Sequence, residues 1–379
     1  MLKKIKAEQL EEGMVLKGLD GVWTGRPTAR STSKVLGRRL LRALRSRGDM
    51  EVWIEVPEAP PPPRAPRMDP IDIQQAAMRA RDLGASTMQS VFADVQANRP
   101  LNVSLALQVV DGISASLEQD PGAMLSVARL KSADEYTYMH CVAVCALMAA
   151  FARELGMNEG QCRSAAIGGL FHDLGKARVP GDILNKTGSL SDSEFSVMKN
   201  HPRLGVEMLQ ANGFDDPIAL DICLHHHEKM SGGGYPDAVD GEEISIYARM
   251  AAICDVFDAV TSARVYKSAW DPADALVRMA EWKGHFDREL LATFIKLVGV
   301  YPVGSLVRLN SGLLGVVVQQ RPEALYAPLV RTFYSTLQES PVTPTLLDLS
   351  EEGCAVQIVG REPRDLWDDA HIQRLSLID

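Results

Sequence analysis

The sequence lacks any apolar run long enough to cross a bilayer. Its longest uncharged apolar stretch, Cys141 to Ala152, falls well short of the ~20 residues that a spanning helix needs. It also lacks an excess of basic charge. Forty Lys and Arg stand against 49 Asp and Glu, a formal net charge of -9, which argues against gripping DNA by phosphate neutralisation. A small anionic ligand held by local basic residues in a cleft stays compatible with that balance. Cysteine is sparse: six residues, Cys141, Cys145, Cys162, Cys223, Cys254 and Cys354, without zinc-ribbon spacing. Free buried thiols in a reducing compartment are the expectation. No signal-peptide pattern opens the chain, and no internal repeat is present. The expectation is a soluble cytoplasmic protein of bacterial type, with no membrane and no DNA partner.

The 379 residues, 46% hydrophobic, suffice for two or three domains with a sizeable core. Residues 1–56 mix strand-like and helical text, a small α+β domain. Strands are expected at Met14–Leu16 and Met50–Val56, and a basic amphipathic helix over Ser33–Ser46. The proline-rich run after Val56 makes residues 57–70 a stiff linker. Residues 71–130 read as a helical connecting region with breaks near Asn98–Pro100 and Asp120–Gly122. Residues 131–300 are almost wholly helical. Ser191 with Glu194 forms a capping-box pair, and Asp216 precedes a first-turn Pro217. Residues 301–379 form a β-rich extension, with Val- and Leu-rich text at Val303–Gln319 and Cys354–Val359. The fold class expected is mainly α: a helical catalytic bundle with a small α+β N-terminal domain and a β-rich tail.

What the sequence holds in plenty is histidine in one place. Six of its eight histidines, His140, His172, His201, His225, His226 and His227, lie between residues 140 and 227. His172-Asp173 is followed by Gly175-Lys176, and His226-His227-Glu228 by Gly234-Tyr235-Pro236. Imidazole nitrogens and carboxylate oxygens suit borderline divalent metals. His140 starts a helical run, His172 and Asp173 end one, His201 precedes a helix-starting Pro202, and His226-His227 end another. Asp255 and Asp258 share a face at i, i+3. Helices of a bundle can project such side chains into one cavity. Asp173, with two oxygens, is the natural bridging ligand. His225 is expected to point elsewhere, since successive helical residues diverge.

These motifs resemble the HD-GYP family, a branch of the HD-domain metal phosphohydrolases. The resemblance covers roughly residues 130–300. It rests on His172-Asp173 with Gly175-Lys176, Asp182-Ile183-Leu184-Asn185-Lys186, His201-Pro202, His226-His227-Glu228, Gly234-Tyr235-Pro236, Asp255-Val256-Phe257-Asp258-Ala259, Arg264 and Lys267. It implies an HD-type bundle and a cyclic di-GMP phosphodiesterase forming pGpG, with GMP as a further product. His140, His172, Asp173, His201, His226, His227 and Asp255 would be metal ligands. Lys176 would face a substrate phosphate, with Asp173 and Lys176 the catalytic pair. Tyr235, Asp258, Arg264 and Lys267 would line the substrate side.

Two divalent ions are expected, iron or manganese favoured, with nickel, cobalt or zinc compatible with the donors. A hydroxide held between them would attack phosphorus. Tyr136 stands where three-metal members carry an extra glutamate, and Glu135 is one residue off, so two metals are expected. Ser231 replaces the family's usual aspartate, Gly233 adds backbone freedom, and Ala238 replaces a usual glycine. These departures keep a second function in view: a non-hydrolytic effector that binds cyclic di-GMP or a GGDEF-type diguanylate cyclase.

Overall fold

The computed structural model describes residues 2–6, 9–10, 15–19, 34–35, 51–55, 70–128, 136–262, 269–321 and 324–377. The chain divides into two compact units, Met1–Arg67 and Met68–Asp379. The described part of the first is a four-stranded antiparallel sheet in the order β1-β4-β2-β3. Its strands are β1 (Leu2–Lys6), β2 (Val15–Leu19), β3 (Lys34–Val35) and β4 (Glu51–Glu55). β2 and β4 fall on the two expected strands. The helix expected over Ser33–Ser46 is corrected where it is described: Lys34 and Val35 pair with Leu16 and Val15. A partner strand supplied by the fold overrides the local helical pattern there. Residues 36–46 of that helix and 57–69 of the proline-rich linker lie outside the described residues.

The second unit opens with α1 (Pro70–Gln96), α2 (Val103–Gln119) and α3 (Pro121–Ala128). The breaks fall where the text predicts them: Asn98 takes a positive φ of 54°, and Asn102 caps α2 by accepting from the Leu105 amide. The central element is α4 (Tyr136–Glu154). Its long apolar run is buried all round, as expected of a core helix rather than a membrane span. Cys141, Val142, Cys145, Ala146 and Ala149 face one apolar cluster, with Phe92, Val109, Ile113 and Phe171. Val144, Leu147, Met148 and Phe151 face another, with Ile253, Phe257 and Phe294. Each fully buried large side chain contributes about 1.5–3 kcal/mol, so α4 is held from both sides and His140 near its start has a fixed position. No described helix is long and apolar enough to cross a membrane.

Around α4 lie α5 (Glu159–Phe171), a 3-10 turn (Leu174–Arg178), α6 (Gly181–Leu184), α7 (Asp192–Met198), α8 (His201–Ala211), α9 (Pro217–His225) and α10 (Ile246–Thr261). Side-chain caps set where they begin. Asn158 with Gln161 and Ser191 with Glu194 form capping boxes, and Asp216 accepts from the Ile218 and Ala219 amides. α11 (Pro272–Glu281) and α12 (Arg288–Val298) complete the bundle.

The C-terminal extension is a five-stranded antiparallel sheet, β8-β7-β6-β5-β9. It consists of β5 (Leu306–Leu309), β6 (Leu313–Gln319), β7 (Leu329–Ser335), β8 (Ser340–Asp348) and β9 (Ile358–Arg361). A final helix, α13 (Asp369–Leu375), closes one face by burying Ile372 and Leu375 against Leu306, Val316 and Phe333. Within the Val- and Leu-rich text at Cys354–Val359, pairing with β5 begins only at Ile358. Arg361 bridges to Asp274, tying the sheet to the bundle.

Candidate metal centre

Seven of the residues singled out in the sequence converge. Asp173, His201, His226 and His227 form one group of candidate ligand atoms, and His140, His172 and Asp255 form a second. The two groups share their carboxylates. Asp173 Oδ1 lies 3.3 Å from His201 Nε2 and 3.8 Å from His226 Nε2. Its Oδ2 lies 3.4 Å from His172 Nε2 and 3.7 Å from His140 Nε2. Asp255 divides similarly: Oδ1 is 3.0 Å from His140 Nε2, and Oδ2 is 3.9 Å from His227 Nδ1. Each carboxylate therefore faces both groups.

Local structure explains the convergence. α5 ends at Phe171, which leaves His172 and Asp173 at the turn into the 3-10 helix. That turn approaches the start of α8 so closely that a Cβ on Gly175 would lie 1.8 Å from the His201 carbonyl oxygen. Only glycine permits this contact. His226 caps the C-terminus of α9, and Asp255 and Asp258 project from α10.

The ring tautomers follow from acceptors that have no proton to give. His172 Nδ1 is 2.8 Å from the Gly169 carbonyl, His201 Nδ1 2.9 Å from that of Met198, and His226 Nδ1 3.0 Å from that of Cys223. Those Nδ1 atoms donate, so in the neutral rings the Nε2 atoms present lone pairs. Yet His172 Nε2 sits 3.3 Å from His140 Nε2, and His201 Nε2 sits 3.3 Å from His226 Nε2. Asp173 Oδ1 is buried with no hydrogen-bond donor. Lone pairs pointed at lone pairs, beside a buried carboxylate oxygen, are unfavourable unless positive charge lies between them. The residues fit divalent cations.

The ionisation states agree with that fit. Burial alone would raise the Asp173 carboxyl, but Lys176 and His172 hold it well below the usual carboxylate range. Asp255 is lowered as well, burial being outweighed by His140 and His172. Burial and the neighbouring imidazoles keep His226 far below its ordinary value, and burial pushes His227 down to about 3. Burial disfavours charge on His172, yet Asp173 and Asp255 raise it to about 10.

Lys176 Nζ lies 2.6 Å from Asp173 Oδ2. Burial works against its charge, but Asp173 outweighs it and raises the pKa, so the ammonium persists. Tyr235 is half-buried, with its ring centroid 4.6 Å from that of His227. Asp258 is placed otherwise than the family resemblance implies. Instead of lining the substrate side, it is buried behind His140 with Oδ2 2.5 Å from Nδ1. Arg264, Lys267 and Glu135 lie outside the described residues. His225 turns away, its ring nitrogens 2.8 Å from Asp221 and 3.2 Å from Asp237.

One residue quoted in the sequence motif without a role acquires one. Glu228 is buried, and its Oε1 accepts from the Asp237 and Ala238 amides at 2.8 and 3.0 Å. Gly234 packs directly on it; a Cβ there would lie 2.4 Å from Glu228 Cα. At its other end the loop is tied by the Ser231 amide to the Gly284 carbonyl at 2.9 Å. The extra glycine at position 233 therefore sits in a loop fastened on both sides. A polar residue immediately after two candidate ligands was the only sequence signal for Glu228. A separate cavity of about 540 Å³, lined by Leu125, Phe257, Lys296 and Arg321 among others, contains none of the candidate ligands.

A helical bundle carrying paired His/Asp groups of this kind is the architecture of a metal-dependent phosphohydrolase. A model of the HD domain matches residues 116–290, and a model of a domain of unknown function (DUF3391) matches residues 2–106. Cyclic di-GMP phosphodiesterase PA4108 of Pseudomonas aeruginosa is 40% identical over 99% of this chain and 95% of its own length. Cyclic di-GMP phosphodiesterase response regulator RpfG of Xanthomonas campestris is 44% identical over 35% of each chain. Bd1817, an HDG"Y"P protein from Bdellovibrio bacteriovorus, covers 78% of this chain and 98% of its own, with a TM-score of 0.49 and 16% identity. The chain belongs to the HD-GYP branch of the HD-domain phosphodiesterases.

Proposed function

We propose that this protein hydrolyses cyclic di-GMP to pGpG, with GMP as a further product. The observation that carries the reading is the division of Asp173 and Asp255 between two groups of imidazoles. His140, His172 and Asp255 would hold one divalent ion, and His201, His226 and His227 a second, with Asp173 shared. The donor set contains no thiolate, which favours iron or manganese and admits nickel, cobalt or zinc. Divalent ions held by these residues would supply Lewis acidity and make a water nucleophile available near neutral pH.

The chain's own groups do the rest. Lys176, kept cationic by Asp173, stands beside that carboxylate and stabilises negative charge developing on the phosphoryl oxygens. Water adds to phosphorus, the P–O3′ bond breaks, and the 3′-oxygen leaves as a hydroxyl. Tyr235, against His227, forms one wall of the substrate approach. Arg264 and Lys267 are proposed as further phosphate contacts. We further propose that residues 1–56 form a regulatory domain, 57–70 a linker, 71–130 a connecting region, 131–300 the catalytic domain and 301–379 an extension. A cytoplasmic location and a GGDEF-type diguanylate cyclase as partner, meeting the exposed loop around Ser231 and Asp237, complete the proposal.

The test is anaerobic purification, metal analysis, and chromatography of cyclic di-GMP digests, with His172→Ala and Asp173→Ala as controls. Two ions per chain and turnover lost in both variants are expected. Retained binding without product in the iron- or manganese-loaded protein would replace this reading by the effector. Turnover unchanged in both variants would remove the proposed centre.

A further inference from the structure

Phe195 projects from α7, a helix with no buried side chain, and is 44% exposed. An exposed phenylalanine costs hydrophobic free energy and invites a partner. Its neighbours say which. Its ring lies 6.3 Å from Tyr235 at an interplanar angle of 80°, and Tyr235 lies 4.6 Å from His227. The rings thus step outward from a candidate metal ligand, through the half-buried Tyr235, to the exposed Phe195, and the last two meet edge-on in a nearly right-angled corner. Lys199 Nζ lies 5.0 Å above the Phe195 ring and places a donor beside that corner.

The corner is held firmly. Ser191 and Glu194 box the N-terminus of α7, and Lys186 Nζ binds Glu194 at 2.6 Å. One turn after Phe195, the Met198 carbonyl accepts from His201 Nδ1. Phe195 is therefore coupled through one helical turn to the group of candidate ligands.

We propose that Phe195 and Tyr235 form a base-stacking subsite for a purine nucleotide whose phosphate lies at the metal centre. This rests on the phosphodiesterase reading above and extends it to a residue outside the ligand set. A ribose joins phosphate to base, so a phosphate at the centre carries its base outward, along the direction in which the rings are arranged. A flat base lies against one ring with its edge toward the other, the geometry aromatic pairs favour. The N7 and O6 acceptors of a guanine edge suit the ammonium of Lys199. A protein partner would need far more exposed apolar surface than Phe195 and the 38%-exposed Val197 provide.

The experiment is calorimetric titration of the metal-loaded, full-length protein with GMP and, separately, with ribose 5-phosphate, which lacks the base. GMP is expected to bind more tightly. Phe195→Ala should weaken GMP roughly ten-fold while leaving ribose 5-phosphate unchanged, and Phe195→Trp should restore GMP binding. With cyclic di-GMP as substrate, Phe195→Ala should raise KM with little change in kcat. GMP affinity unaltered in Phe195→Ala, or both ligands weakened equally, overturns the subsite. Base-dependent GMP binding in a wild-type protein that does not turn over cyclic di-GMP would uphold the subsite and defeat the assigned substrate.

Discussion

His140 Nδ1 lies 2.5 Å from Asp258 Oδ2, with both side chains buried. The carboxylate holds the ring through Nδ1 and so fixes Nε2 toward Asp255 and His172. A carboxylate behind a ligating imidazole fixes its tautomer and raises its basicity, and loss of such a partner typically costs 10–100-fold in metal affinity. Asp258→Asn is expected to lower affinity for one of two ions by roughly that factor. Chelator competition followed by metal analysis reads this directly. An affinity equal to that of the wild type would show that Asp258 does not orient His140.

Lys176→Met removes the ammonium beside Asp173 while keeping every candidate ligand in the sequence. The expected result is a fall in kcat of about 10²-fold, as for other single charge-stabilising donors, with two ions still bound. Loss of metal in parallel with kcat would make Lys176 a support for the centre rather than a partner of the phosphate.

Ala238 holds a φ of 54°, a left-handed conformation that costs a residue with a Cβ about 1–2 kcal/mol. Its amide is fixed by Glu228, so the backbone cannot relax away. Ala238→Gly should raise the thermal midpoint by a few degrees, corresponding to about 1 kcal/mol. A lowered midpoint would contradict the strain. Glu228→Ala should act oppositely, since it strands two backbone donors and costs about 1–3 kcal/mol.

Gly175→Ala drives a methyl into the His201 carbonyl, which belongs to backbone rather than to a yielding side chain. The 3-10 turn and α8 must then separate, at about 1–3 kcal/mol or more. A large fall in thermal midpoint together with loss of one bound ion is expected. A variant as stable as the wild type, with full metal content, would refute the close approach.

Acid should weaken the C-terminal sheet through Asp348. Its carboxylate accepts from Arg321 Nε and Nη2 at 3.0 and 2.5 Å, and Arg321 with Ser350 lowers its pKa to about 2 from an ordinary 3.8. A carboxyl depressed in the folded state contributes its stabilisation in full above its unfolded pKa. That contribution is lost as pH falls from about 4 toward about 2. The pair is partly exposed, so the effect is modest. Thermal midpoints measured across this window should fall less steeply for Asp348→Asn than for the wild type, and equal slopes would exclude the pair as the cause.

Much of the site was legible in the chain because its signals are local. The caps at Ser191 and Asp216, the helix start at His201-Pro202 and the helix ends at His172 and His226 depend on near neighbours, and each stands where the pattern places it. The Ser33–Ser46 helix failed at its start because Lys34 and Val35 find β2, a partner distant in sequence. In the Val- and Leu-rich text at Cys354–Val359 the strand starts only at Ile358, since β5 decides where pairing begins.

The sequence by itself determined the donor types, their helices and their family. Adjacent His-Asp and His-His pairs with no thiolate nearby restrict the chemistry before any fold is known. Only the tertiary structure decided which oxygen of Asp173 faces which imidazole, that Asp258 stands behind His140, and that Glu228 fastens the Gly234–Pro236 loop. Those relationships depend on where separate helices meet. Packing around α4 sets that meeting, and residue spacing along any one helix does not encode it.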